Sequence, residues 1–336
     1  AVSEDHFAVE PHVARRILKD MIRDTGAAPQ ADGQPVVLDL VTEAQVVAVN
    51  RAGNRVRGVT LEQTTPAGGV EQIEIESEVL IDATEYGDVI PLTGARYRLG
   101  IWRSDEPRPT GDRVPPVQPL TWTASIRRYP RGVPPALVID AQPVGYAPDA
   151  IAGFLTPDGK TTHGFPWAWE RFLKYRGMPD STSGTSAHNG TGLPLTRTHV
   201  NFPPNDSRLT ILDVEDPDRR ERAEVAALLR TLGVLYYARN VMGEEAWSVA
   251  DDIGYDSPAT VRRMDALVAR HPELAAFREL LYRFPPIPYV RESRRVIGVG
   301  TLTATSIRRK APFQPEPRST AVAIGDYPVD VHGEHE

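Results

Sequence analysis

The chain contains no cysteine in its 336 residues. That absence removes disulfides, thiolate metal ligands and cysteine nucleophiles together, and it leaves the redox compartment open. No apolar run approaches the roughly 18 residues that a helical membrane span requires. The opening residues, AVSEDHFAVE, carry no basic-then-apolar leader. Positive charge is in short supply: 38 Lys and Arg stand against 45 Asp and Glu, a net charge of −7. The arginine pairs are scattered, so the electrostatic footprint of a nucleic-acid binder is missing. The usual signatures of phosphate loops, nucleophile elbows, zinc helices and EF-hand loops are missing too. Gly298-Val299-Gly300 runs into Thr-Leu-Thr and fails the dinucleotide pattern G-x-G-x-x-G. His332 and His335 lie three apart beside Asp330 with no third ligand nearby, so no bound metal is expected.

What is present is ordinary for a folded protein: 40% hydrophobic and 25% charged residues, which excludes a disordered tail, a collagen or a coiled coil. The length suggests about two domains, and 31 prolines suggest long ordered loops. Pro11 opens a helix ending near Thr25-Gly26, with Val13, Ile17 and Met21 and then Ala14, Leu18 and Ile22 at helical spacing. Short strands are read over 36–40, 45–50, 55–63 and 70–75, with turns at 51–54 and 66–69. Residues 78–82 (EVLID) read as a buried strand ending on an acid. Helix, meander and apolar strand together make a fragment of an α/β domain. From about 100 to 215, Pro, Gly, Thr, Ser and aromatics crowd together around a strand at 120–126, a texture of long, site-lining loops. Two helices follow. The first covers 219–241, with Ala223, Ala226, Leu229, Leu232 and Tyr236 on one face; the second covers 257–283 and is split at Pro272. A final strand is read at 320–324.

Two segments carry chemistry. In 79–95 (VLIDATEYGDVIPLTGA) an apolar strand runs into small residues and then a helical start. Such a turn lets a cofactor approach the backbone, and the next helix offers free N–H groups to an anion. The plainer reading is an ordinary strand-to-helix turn. In 289–295 (YVRESRR) a strand puts Arg291, Ser293 and Arg295 on one side and Glu292 and Arg294 on the other. A solvated charge run is the plain reading. The flanking apolar residues argue for partial burial, where arginines want carboxylate or phosphate partners.

Four stretches, 7–14 (FAVEPHVA), 79–99, 289–298 and 324–333 (IGDYPVDVHG), resemble in order a large bacterial family of FAD-dependent oxidoreductases. That family belongs to the glutathione-reductase-like FAD superfamily and is often described beside xanthan lyases. The resemblance implies an α/β fold: a partial Rossmann-type FAD domain with a β-meander, plus an inserted, loop-rich α+β substrate domain. The implied division is 1–98 for the FAD-domain portion, 99–287 for the insertion and 288–336 for the return. It implies FAD as cofactor, contacted by Asp82, Ala83 and Thr84 in place of a motif that is usually Ala-Thr-Gly, and by Gly87. Glu85 stands where the family commonly has glycine. Val46 is implied to meet the adenine through its backbone. The family's opening G-x-G-x-x-G turn and its closing Gly-rich segment are not among these residues, so the chain is expected to be an internal piece.

The implied reaction is hydride transfer from a small or carbohydrate-like organic substrate to flavin, with no nucleic acid or membrane span involved. Nothing in the sequence selects an oligomeric state. Asp330 and His332 share a face if that stretch is a strand, so the carboxylate can orient an imidazole that accepts the substrate's proton. His163, His188 and His199 are the fallback. Arg291 or Arg294 is implied to hold an anionic group or the charge on reduced flavin. The rival is a non-catalytic carbohydrate-binding module stacking sugars on Trp122, Trp167, Trp169 and Tyr129.

Overall fold

A computed structural model describes residues 11–27, 37–65, 68–111, 114–162, 164–177 and 195–298. The architecture mixes helices with several small sheets. The chain divides into two compact units. One holds Gln45–Pro119, Arg208–Asp216 and Val290–Glu336; the other holds Ala1–Ala44, Leu120–Ser207 and Pro217–Tyr289.

The first of these units starts with the expected meander: β1 (Ala44–Ala52), β2 (Arg55–Thr64) and β3 (Val70–Glu76), in spatial order β1-β2-β3. Gly53, at φ +61°, makes the turn from β1 to β2, where a side chain in the left-handed region is costly. β2 and β3 run antiparallel from Gly58 opposite Glu76 to Thr64 opposite Val70. The two flanking strand expectations fail. Residues 37–42 and 78–82 are not strands, and Val79 and Ile81 are 76% and 82% exposed. An apolar run becomes a buried strand only when neighbours pair its backbone and cover its faces, and no described strand pairs with either run.

A helix at Val89–Thr93 leads into a small antiparallel sheet of Trp102–Arg103, Tyr97–Leu99 and Arg295–Val296. Helix Ile211–Glu215 is held by a capping box: Asp213 N–H donates to Thr210 Oγ1, and Thr210 N–H donates back to Asp213 Oδ2 at 2.8 Å. Its buried Ile211 and Val214, with Leu99, Tyr97, Trp102, Val89 and Leu209, belong to this unit's core.

In the other unit, helix Pro11–Ala27 forms as expected, yet its stripe residues Ile17, Leu18 and Met21 are exposed. Periodicity sets the helix; burial needs a partner face. The single strand expected at 120–126 is two, Pro116–Thr121 and Ala124–Arg128, with buried Trp122 between them. Ala124–Arg128 is the middle strand between Trp247–Val249 and Arg197–Val200, antiparallel to both. Helix Pro217–Asn240 buries the expected Leu229 and Leu232, but also Val225, Leu228 and Leu235, while Ala226 faces out, because neighbours cover the helix around most of its circumference from Ala227 to Ala238. Pro272 divides the next helical stretch into Pro258–Arg270, Pro272–Phe277 and Arg278–Leu281, as its proline predicts.

Asn205, fully buried, ties this core together. Its Oδ1 accepts from Phe202 N–H at 2.8 Å, and its Nδ2 donates to Thr231 Oγ1 at 3.1 Å and Val200 O at 3.3 Å. Trp122 donates its indole N–H to Pro285 O at 2.9 Å. Trp167 packs 5.1 Å from the Phe202 ring and Trp169 stacks 4.9 Å from Phe172. Trp122, Trp167, Trp169 and Tyr129 are all buried. The loop aromatics that suggested sugar stacking are core residues, so their faces are already covered by protein.

Candidate functional site

Residues 82–88 form a tight, hydrogen-bonded turn. Asp82 Oδ1 accepts from Thr84 N–H at 2.9 Å and from the Thr84 hydroxyl at 2.7 Å, the local bonding by which aspartate initiates turns. Thr84 Oγ1 in turn accepts from Asp88 N–H at 2.8 Å, and Gly87 N–H donates to Thr84 O at 3.1 Å. Ala83, Thr84 and Glu85 face solvent, whereas Tyr86 and Gly87 are buried. Ala83, a small residue, lies on the exposed side of the turn.

At Gly87, φ +65°, a Cβ would lie 3.0 Å from Arg294 O and 3.1 Å from Arg294 Cβ, so the missing side chain lets the turn close against Arg294.

Arg294 itself is buried. Its Nε donates to Glu215 Oε1 at 2.7 Å, Nη1 to Tyr86 O at 3.0 Å and Asp88 Oδ1 at 2.9 Å, and Nη2 to Val214 O at 2.7 Å. The guanidinium also lies over the Tyr97 ring, 5.8 Å from its centroid. Tyr97 OH donates to Glu215 Oε2 at 2.8 Å, and burial followed by that carboxylate raises the phenol's pKa. The expected carboxylate partner of a buried arginine is thus supplied by the chain. The Arg294 donors go to Glu215, Asp88 and two carbonyls of the chain.

Only Arg295–Val296 of the 291–295 stretch and its flank is strand; Arg291, Glu292 and Ser293 are all half-buried, Arg294 is buried and Arg295 is exposed. Glu292 turns inward and accepts from Gly100 N–H at 3.2 Å and Gln118 N–H at 2.9 Å; its ion-pair partner is Arg295, at 3.0 Å. Arg291 is half-buried and donates to Pro119 O at 2.9 Å.

Val46 is half-buried in β1, an edge strand of the meander. Among the described residues no strand pairs with the outer edge of β1. Asp330 and His332 lie outside the described residues, as do His163 and His188. His199 sits in strand Arg197–Val200 of the other unit, with Nδ1 3.1 Å from Ser125 Oγ. Burial, and then the charge of Arg176, pushes its pKa down to about 4, so it is neutral at neutral pH. Sequence reasoning gave no role to Asp88, Tyr97 or Glu215. Asp88 stood inside a stretch already singled out, but nothing local marks Glu215 as the partner of a residue 79 positions away.

One polar atom in the turn is unsatisfied. Asp82 Oδ2 is shielded from solvent and has no hydrogen-bond partner among the described residues. A buried acceptor without a donor is costly, and it points to a donor supplied from outside the turn. Among the described residues no helix is long and apolar enough to cross a membrane. No group of three or more His, Asp or Glu in them is placed to hold a metal ion.

Over residues 1–336 the chain matches the model of a family described as FAD dependent oxidoreductase, and it belongs to that family. The cofactor of such enzymes is FAD. Comparisons with curated proteins and with solved structures each returned no match. The unpartnered acceptor Asp82 Oδ2 is compatible with that cofactor, which carries hydroxyl and N–H donors. The described residues provide no glycine-rich cradle for its pyrophosphate.

Proposed function

We propose that the chain holds FAD along Asp82, Ala83 and Thr84 and the outer edge of β1 at Val46, and oxidises a small or carbohydrate-like organic substrate. In this reading the unit bearing the meander is part of a Rossmann-type FAD domain, and the loop-rich residues between 99 and 287 serve the substrate. The observation that carries it is the unpartnered Oδ2 of Asp82 beside the exposed Ala83 backbone. Held there, FAD would supply the hydride acceptor for oxidation of a substrate C–H bond.

The chain's own residues do the rest. Asp82 uses Oδ1 to fix the turn and leaves Oδ2 to accept a hydrogen bond from the cofactor. Thr84 keeps its hydroxyl inside the turn, which turns the Ala83 backbone outward. His332, oriented by Asp330, takes the substrate's proton; the support is their two-residue spacing and histidine's suitability near neutral pH. Arg291, which donates to Pro119 O, is assigned to an anionic group of the substrate.

The test is Ala83→Arg in the full-length protein. A guanidinium on the outer face of the turn blocks approach without entering the core, so the variant folds with the parent's far-UV circular dichroism and purifies without flavin absorbance. A folded variant with parental flavin content overturns the placement.

A further inference from the structure

We propose that Arg294 is a positioning residue for the cofactor, locking the turn that carries Asp82 rather than touching FAD or substrate. The proposal rests on the reading that 82–84 lies along FAD.

The contacts form one unbroken series within a single unit. Asp82 Oδ1 holds Thr84, and Thr84 Oγ1 holds the Asp88 N–H. Asp88 Oδ1 then accepts from Arg294 Nη1 at 2.9 Å, and Arg294 Nε is anchored on Glu215 at 2.7 Å. The Tyr86 carbonyl is gripped twice, by Arg294 Nη1 at 3.0 Å and by its backbone N–H at 3.3 Å. Gly87 closes against the Arg294 backbone at a φ of +65°, where an added Cβ would lie 3.0 Å from Arg294 O. The turn is thereby fixed at its carboxyl end, and the cofactor-facing carboxylate is fixed through it.

Asp88 bears this out. It occupies the N-cap position of helix Val89–Thr93, yet its side chain makes no capping hydrogen bond. A residue type suited to cap a helix has its carboxylate turned to Arg294 instead. The requirement is for arginine specifically. A planar fork reaches a carboxylate, a second carboxylate and two carbonyls at fixed angles, whereas a lysine ammonium is one point with three donors.

The experiment titrates FAD into apo full-length protein and compares parent, Arg294→Lys, Asp88→Ala and Ala83→Arg, reading dissociation constant, flavin circular dichroism and the thermal midpoint of the apo form. Arg294→Lys and Asp88→Ala are each expected to weaken FAD at least about tenfold, the scale on which lost outer-shell support acts, and to change the bound flavin's circular dichroism. Asp88, whose side chain is partly exposed, is expected to do so with the apo midpoint unchanged. A merely structural role moves the midpoint and leaves affinity and spectrum of the folded fraction at parental values. If Ala83→Arg abolishes binding while both lock variants bind and display FAD as the parent does, the lock is overturned and the site stands. If Ala83→Arg binds normally, the site itself is wrong and the lock falls with it. Should Arg294→Lys fail to fold, Asp88→Ala decides.

Discussion

Removing the guanidinium of Arg294 tests the energetics of the buried ion pair. The Arg294 and Glu215 side chains are only 5% and 4% exposed, and their closest contact is 2.7 Å. In Arg294→Met, Glu215 keeps the Tyr97 hydroxyl at 2.8 Å and Arg108 at 3.4 Å, while the half-exposed Asp88 can turn to water. The loss therefore comes mainly from one carboxylate left buried without its main countercharge. Breaking a buried pair from one side costs about 3–5 kcal/mol; the partners Glu215 retains place the expectation near the lower end, about 3 kcal/mol. In the double variant Arg294→Met/Glu215→Gln no buried charge is stranded, so the combined loss should fall short of the sum of the single losses by at least about 1 kcal/mol. A chain of two compact units need not unfold in one transition. The assay is accordingly hydrogen exchange by mass spectrometry on peptides covering 84–99 and 208–216, which reads local opening free energy. Parental protection in Arg294→Met, or strict additivity in the double variant, refutes the reasoning.

Gly87→Ala places a Cβ in the left-handed region, about 1–2 kcal/mol by itself, and against the Arg294 carbonyl; the same peptides should report a loss of at least about 2 kcal/mol, and a change below about 0.5 kcal/mol would show that the turn yields freely. His199 gives a pH signature in the other unit. Its folded pKa of about 4 lies below the ordinary 6.5, so the unfolded chain takes up the proton first. Stability is full above pH 6.5 and falls as pH drops from 6.5 to 4, with a limiting slope of about 1.4 kcal/mol per pH unit. An NMR titration that finds the His199 imidazole protonating near 6.5 contradicts this; His199→Gln should flatten the acid limb.

Local patterns carried the helices and hairpins. Pro11, the Gly53 turn and Pro272 each act through their own backbone restrictions, which neighbours several residues away do not alter, and the helix starts, the meander and the split at 272 follow from them. The quoted 79–95 and 289–295 segments were legible as special because small residues and crowded arginines are unusual in composition. Tertiary structure alone decided what those segments do. The EVLID run reads as a buried strand, but burial needs pairing partners that sequence does not supply, and the run is exposed coil. Trp122, Trp167 and Trp169 read as loop aromatics, yet packing against Pro285, Phe202 and Phe172 makes them core. Arg294 reads as an N–H donor available to an anion; folding brings Glu215 and Asp88 to it from 79 and 206 positions away. Charge and periodicity are properties of a residue and its neighbours along the chain, whereas partnership depends on which distant residues the fold brings within hydrogen-bond reach.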